Sequence, residues 1–172
     1  IRTGAATADA GIYDNVNATT GSISVTAATD IWDITVVTGN ATVKNAQDWV
    51  DTARAGDVML WAQGGSIGQA PNDRVTVRTG DVAGLGSNIE GVLTATAATN
   101  VYIGSPRNLF VESVTGSLVN GIVDLNVNGS LSDDAGGDTG VDIVGATVVL
   151  NATGAIGSTA AELDVNSTTS VT

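Results

Sequence analysis

Gly21-Ser22-Ile23-Ser24-Val25-Thr26-Ala27-Ala28-Thr29-Asp30-Ile31-Trp32 aligns without a gap on Gly91-Val92-Leu93-Thr94-Ala95-Thr96-Ala97-Ala98-Thr99-Asn100-Val101-Tyr102. Five of the twelve positions are identical, and most of the others exchange like for like. A second pair is Val58-Met59-Leu60-Trp61-Ala62-Gln63-Gly64-Gly65-Ser66-Ile67-Gly68 and Val148-Val149-Leu150-Asn151-Ala152-Thr153-Gly154-Ala155-Ile156-Gly157, with one extra residue in the first. Both pairs share a phrase: three alternating inward residues, a small turn, then another apolar residue. It reads Ile23, Val25, Ala27, Ile31, and returns as Val58, Leu60, Ala62, Ile67 and as Leu93, Ala95, Ala97, Val101. It returns again as Val123, Leu125, Val127, Leu131 and as Val148, Leu150, Ala152, Ile156. The starts are spaced 35, 35, 30 and 25 residues apart.

Alternation with period 2 is the pattern of a half-buried strand, and each phrase is therefore a strand, a tight turn and a second strand. One such unit cannot bury its apolar face alone, whereas stacked units close a continuous core. Ala at the third inward position suits a narrow interior near a corner, and Gly and Asn at the corners allow positive φ. The expected fold is all-β, a parallel β-helix (solenoid) of about seven coils, roughly 35 Å long at the usual strand spacing. An antiparallel sandwich also has short alternating strands, but it has no need of one phrase five times. No linker or domain boundary is evident. Residues 1–172 read as one β-helical segment, either a portion of a longer repeat protein or a subunit that stacks end to end.

Composition agrees. Thr, Val and Ile make up 57 of 172 residues, against 7 for Glu, Lys and Gln together. Branched side chains lose little freedom on a pleated strand and more in a helix. One segment departs from the strand pattern. Asn45-Ala46-Gln47-Asp48-Trp49-Val50-Asp51-Thr52-Ala53-Arg54-Ala55-Gly56 spaces its apolar residues at 46, 49/50 and 53. Asn45 suits an N-cap, Gly56 a stop, and Asp48 and Arg54 suit the helix dipole. A short helical loop is expected near 45–56.

Eighteen acidic residues against six basic give a net charge of −12. Such a surface repels phosphate backbones and anionic lipid, which disfavours nucleic acid and membrane surfaces as partners. No run of apolar residues is long enough to insert in a bilayer. The chain has no Cys and no His, which removes thiolate chemistry, the commonest general base and the usual transition-metal ligand. Asp outnumbers Glu 15 to 3. Short carboxylates fit turns, and they also suit Ca²⁺. The densest group is Ser132-Asp133-Asp134-Ala135-Gly136-Gly137-Asp138-Thr139-Gly140-Val141-Asp142. Its first reading is a solvated loop. Its second is a Ca²⁺ site from Asp133, Asp134, Asp138 and Asp142, so Ca²⁺ is the one cofactor to consider. Its third is a polysaccharide-degrading enzyme using Asp133 and Asp134 as acid and base. No enzyme activity is expected, because no histidine stands by these acids. Trp61 falls between inward Leu60 and Ala62, and alternation points it outward. Trp32 and Tyr102 occupy equivalent repeat positions, each after an inward residue. An exposed aromatic row of Trp32, Trp61 and Tyr102 is a candidate stacking platform for sugars.

The phrase Val58 to Gly68, and its copy continuing through Gly157-Ser158-Thr159-Ala160-Ala161-Glu162-Leu163-Asp164-Val165, resembles the repeats of the filamentous haemagglutinin family of large secreted bacterial adhesins. The resemblance runs from about Gly21 to Val165. It implies a right-handed parallel β-helix, the hand that parallel connections generally take. It also implies export to the cell surface or the extracellular space and a role as a stalk or fibre. The expected function is thus structural. Its partners would be neighbouring coils or end-to-end copies of itself, with host or matrix glycans in reach. A carbohydrate-binding module using the outward aromatics is the alternative.

Overall fold

The computed structural model describes residues 16–18, 23–31, 35–38, 41–44, 49–51, 57–78, 91–133, 140–159 and 162–172. Fourteen strands are found among them, and no helix. They are β1 (Val16–Ala18), β2 (Ile23–Ala27), β3 (Thr35–Thr38), β4 (Ala41–Lys44), β5 (Trp49–Asp51), β6 (Val58–Ala62) and β7 (Val75–Arg78). There follow β8 (Val92–Ala97), β9 (Val101–Ser105), β10 (Leu109–Thr115), β11 (Ile122–Val127), β12 (Leu131–Asp133), β13 (Ile143–Ala152) and β14 (Val165–Val171).

Twelve strands form one sheet, paired in parallel throughout, in the order β1-β3-β7-β9-β11-β13-β10-β8-β6-β2. Beside this path, β12 pairs with β10 and β14 with β13. The sheet curls into a half-barrel whose two arms share one core. β13 forms the bend. Its Ile143 end pairs with β10, and its Thr147–Ala152 end pairs with β11.

The core is made of ladders of like residues in register. Val25, Leu60, Ala95, Val114, Ile143 and Val165 succeed one another from strand to strand. Ile31, Ile67, Val101, Val123, Val148 and Val171 form a second ladder. Leu109, Leu131 and Ile156 form a third. All but Val165, Ile156 and Val171 are buried. Full burial of one such aliphatic side chain contributes about 1.5–3 kcal/mol, so these ladders dominate the folding energy.

The five phrases do not all stack on one another. Val58, Leu60 and Ala62 pair with Leu93, Ala95 and Ala97 on one arm. Val123, Leu125 and Val127 pair with Val148, Leu150 and Ala152 on the other. The strand stacked on Val123 is β9, whose Val101, Ile103 and Ser105 are followed by Leu109. The same strand-turn-apolar phrase thus turns two successive corners. The spacing of its starts is irregular because chain of different length joins paired strands: β2 and β6 start 35 residues apart, β11 and β13 about 25 apart in register.

Each corner is joined to the next by a side chain. Asp30 Oδ1 accepts the Ser66 N–H (2.6 Å), Ser66 Oγ accepts the Asn100 N–H (3.3 Å), and Asn100 Oδ1 accepts the Ile122 N–H (2.9 Å). At the second corner Asn108 Oδ1 accepts the Ser130 N–H (2.8 Å), and Ser130 Oγ accepts the Ala155 N–H (3.2 Å). Asp30, Ser66, Asn100, Asn108, Ser130 and Ala155 each directly precede an apolar ladder residue. The side chain therefore satisfies an amide that the turned backbone leaves without a ladder partner. The bridge needs space. A Cβ on Gly65 would collide with the Asp30 carboxylate, and one on Gly129 would lie 2.5 Å from Asn108 Oδ1.

Residues 45–56 correct the helical expectation. Trp49–Asp51 is a strand, antiparallel to Ala41–Lys44, with Val43 beside Val50 and Lys44 beside Trp49. Residues 45–48 and 52–56 lie outside the described residues. Val43, Trp49 and Val50 favour a pleated strand, and an isolated helix of three turns is marginal in water.

The corner bridge generates a prediction. Asp30→Ala should cost about 1–3 kcal/mol in urea-induced unfolding. Gly65→Ala should cost more in the native background than in the Asp30→Ala background, because the colliding carboxylate is then gone. Additive costs in that double-mutant cycle would refute the bridge.

Candidate functional site

The residues between core positions on β2, β6 and β8 form the outward surface of one arm. Thr26, Trp61 and Thr96 lie in register across the three strands, and Ser24, Met59 and Thr94 form the adjoining row. Trp61 is 47% exposed and Met59 50%, because short hydroxyl side chains flank both. Met59, Leu60, Trp61, Thr94 and Thr96 line a shallow depression of about 320 Å³. The adjoining strand, β10, carries a bulge between Val111 and Ser113, and this places Glu112 beside Thr94. Thr94 Oγ1 donates to Glu112 Oε2 (3.3 Å). An aromatic face, a thioether, several hydroxyls and one carboxylate thus meet on a rigid sheet.

Of the aromatics expected to stack sugars, Trp61 has this setting and Tyr102 does not. Trp32 lies outside the described residues. Tyr102 is only 6% exposed, because the segment from Gly68 to Arg74 folds over β9. Gly68 makes this possible. It sits at φ 72°, and a Cβ there would meet the Tyr102 carbonyl oxygen. The segment closes through Gln69 N–H to Asp73 O (3.0 Å) and Asp73 N–H to Ala70 O (2.9 Å). Arg74 then reaches over β9 to β11. Its Nη2 donates to both carboxylate oxygens of Asp124 (2.8 and 3.0 Å), and a further Nη1–H goes to the Pro71 carbonyl. Asp124 is 4% exposed and stands in register with Tyr102. Burial first, and the Asp124 carboxylate second, push the Tyr102 hydroxyl above its ordinary value of 10.0. This cluster is a clamp that ties three neighbouring strands together. Arg74 and Asp124 lie 50 residues apart, so no local pattern in the sequence pairs them.

The acidic group divides. Asp134 and Asp138 lie outside the described residues. Asp133 is buried on β12, in register with Val111. Asp142 is 1% exposed, and its Oδ2 accepts the Asp164 N–H (2.7 Å), while its carbonyl accepts the Val114 N–H (2.6 Å). Asp142 thus joins the successive strands β10, β13 and β14. Among the described residues no three acidic side chains gather to hold a metal ion. A second depression, of about 400 Å³, is lined by Ile156, Gly157, Ser158, Thr159, Glu162 and Leu163. Among the described residues that line it there is one carboxylate, Glu162, and no other charged group.

Two outcomes follow for the clamp. Arg74→Met leaves the Asp124 carboxylate buried without its cation and should cost about 2–4 kcal/mol. Arg74→Met with Asp124→Leu should recover most of that loss in urea unfolding. For Tyr102 the folded chain holds its phenolic proton more tightly than the unfolded chain. Its contribution to stability is therefore complete below pH 10 and declines as pH rises through and beyond it. Tyr102→Phe should flatten the fall in melting temperature on that alkaline side, and an unchanged slope would contradict the assignment.

Compared with protein-family models, with curated proteins and with solved structures, the chain matches none, so its function is read from its own residues.

Proposed function

We propose that this chain is a structural segment, the stalk or fibre-forming part of a secreted adhesin or extracellular filament. In this reading the half-barrel belongs to a right-handed parallel β-helix of about seven coils. The observation that carries it is the side-chain bridge at the corners, repeated from Asp30 to Ser66 to Asn100 and from Asn108 to Ser130. A bridge of this kind recurs once per coil and can be extended without limit, which a closed globular core cannot. Parallel pairing along the whole stack satisfies the backbone and stiffens it. Among the described residues β14 pairs with β13 alone, which leaves its other edge as a template for a further strand. The occupant is a following coil or a second copy of the chain. The net charge of −12 keeps such an object soluble and makes its association sensitive to divalent ions such as Ca²⁺. The likeness of its phrases to filamentous haemagglutinin repeats supports the same assignment and, with it, a location outside the cell or on the bacterial surface. The reading involves neither catalysis nor nucleic acid, and it has no membrane-inserted part.

Electron microscopy of the purified chain at about micromolar concentration, with and without Ca²⁺, tests this reading. Unbranched fibres of uniform width are expected if copies stack. Short rods of uniform width are expected if the neighbouring coil is part of the same polypeptide. Round particles without a long axis under both conditions would overturn it.

A further inference from the structure

We propose that the outward face of β2, β6 and β8 around Trp61 is a binding site for neutral glycans, with a pyranose ring stacked on the indole. This goes beyond a structural role, and neither reading requires the other.

Trp61 is the centre of this face. It is 47% exposed in mid-strand, at a position where its in-register neighbours Thr26 and Thr96 are small and hydroxylated. The indole is therefore open to a ligand and not filled against by the sheet. Both flanking strands hold it in a fixed backbone register, so little entropy is lost on binding. The C–H face of a pyranose is apolar and its rim is a ring of hydroxyls. Trp61 and Met59 offer the apolar surface, with Met59 half exposed beside Thr94. Thr94 and Thr96 offer hydroxyls that both donate and accept, and Glu112 offers a carboxylate that accepts from two neighbouring sugar hydroxyls. Thr94, which lines the depression, already donates to Glu112 and so holds that carboxylate next to it. The depression, about 320 Å³, is at the small end of ligand sites and holds one or two rings.

Charge selects the glycan class. The Glu112 carboxylate is bonded to Thr94 of the depression, and the chain as a whole carries −12. Sulfated, sialylated and uronic glycans meet like charge there, whereas neutral hexose and N-acetylhexosamine chains do not. The same field opposes an acidic second copy of this chain on the face, and the polar rim of hydroxyls suits a sugar better than an apolar protein patch.

The test is titration of the folded chain with neutral tetrasaccharides of glucose, N-acetylglucosamine, galactose and mannose, and with a galacturonate tetramer as the anionic probe. The readout is the Trp61 indole N–H resonance, identified by its absence in Trp61→Phe, together with calorimetric affinity. At least one neutral tetrasaccharide should shift that resonance saturably, and the galacturonate tetramer should not. Trp61→Ala should weaken binding by about tenfold or more, Trp61→Phe by less, and Glu112→Ala by about fivefold. Because Trp61 is half exposed, each variant should keep the parent circular dichroism and melting temperature. The proposal is overturned if no neutral tetrasaccharide binds at about 10 mM. Equal affinity in Trp61→Ala, or preference for the galacturonate tetramer, would also overturn it. So would loss of a parent oligomer in Trp61→Ala, which would assign the face to self-contact.

Discussion

The structure depends on one constraint: parallel strands must meet in register at every pass, although their connections differ greatly in length. Val25 and Leu60 are 35 residues apart, whereas Ala95 and Val114 are 19 apart, yet both are adjacent in one ladder. Register on that scale cannot come from turn length. It comes from the corners, where the side chain just before each ladder residue holds an amide of the next pass. An orphaned backbone amide costs about as much as a lost hydrogen bond, so a slip by one residue is penalised at the corner and again in the core, where every side chain would change face. Chain between the anchored corners is free to vary. The hairpin of β4 and β5 is such an insertion, paired with itself and outside the main sheet.

This division explains what could be read from the residues alone. Alternation identified the strands of the phrases, because the core positions within each phrase are apolar and recur with period 2. Residues Val25, Leu60, Ala95, Val123, Leu125 and Val148 are all buried as the pattern requires. The assignment of phrases to arms was not legible. Val101-Tyr102-Ile103-Gly104-Ser105 is a full member of the second arm, but Ser105 stands where the other copies have Ala or Val, and Pro106 interrupts the turn. The corner residues were seen as turn formers only. That Asp30, Asn100 and Asn108 act on the following pass depends on contacts 22 to 36 residues distant, which local propensity does not contain. The helical reading of 45–56 failed for a related reason. Its spacing was helical, but the strand pairing of Val43 with Val50 outweighs a weak intrinsic preference.

The candidate site was half legible. Alternation gave the direction of Trp61 and Tyr102 correctly, since both lie between core residues on their strands. Direction is not exposure. The segment from Gly68 to Arg74 covers Tyr102 and delivers a cation to Asp124, whereas Trp61 stays 47% exposed. The two outward aromatics thus have opposite fates, one serving as packing under a clamp and one as surface. Asp133 and Asp142 show the same lesson for acids. Both belong to a stretch that reads as a solvated loop, and both are buried. For Asp142 the reason is visible, since its carboxylate takes up the Asp164 amide at the next corner.

A stack of this kind also changes what a site looks like in sequence. On one strand the outward residues are two apart, so a short motif can supply at most a pair, such as Met59 and Trp61 or Thr94 and Thr96. The remaining groups come from the strands above and below. Thr26, Trp61 and Thr96 are brought side by side from positions 35 residues apart, and Glu112 joins them through a bulge that breaks the alternation of β10. Chemistry on such a surface is written across the passes and not along the chain. The interaction that fixes register is therefore the same one that assembles the outward face. A substitution at a corner such as Asp30, remote from Trp61 in any linear sense, acts on both.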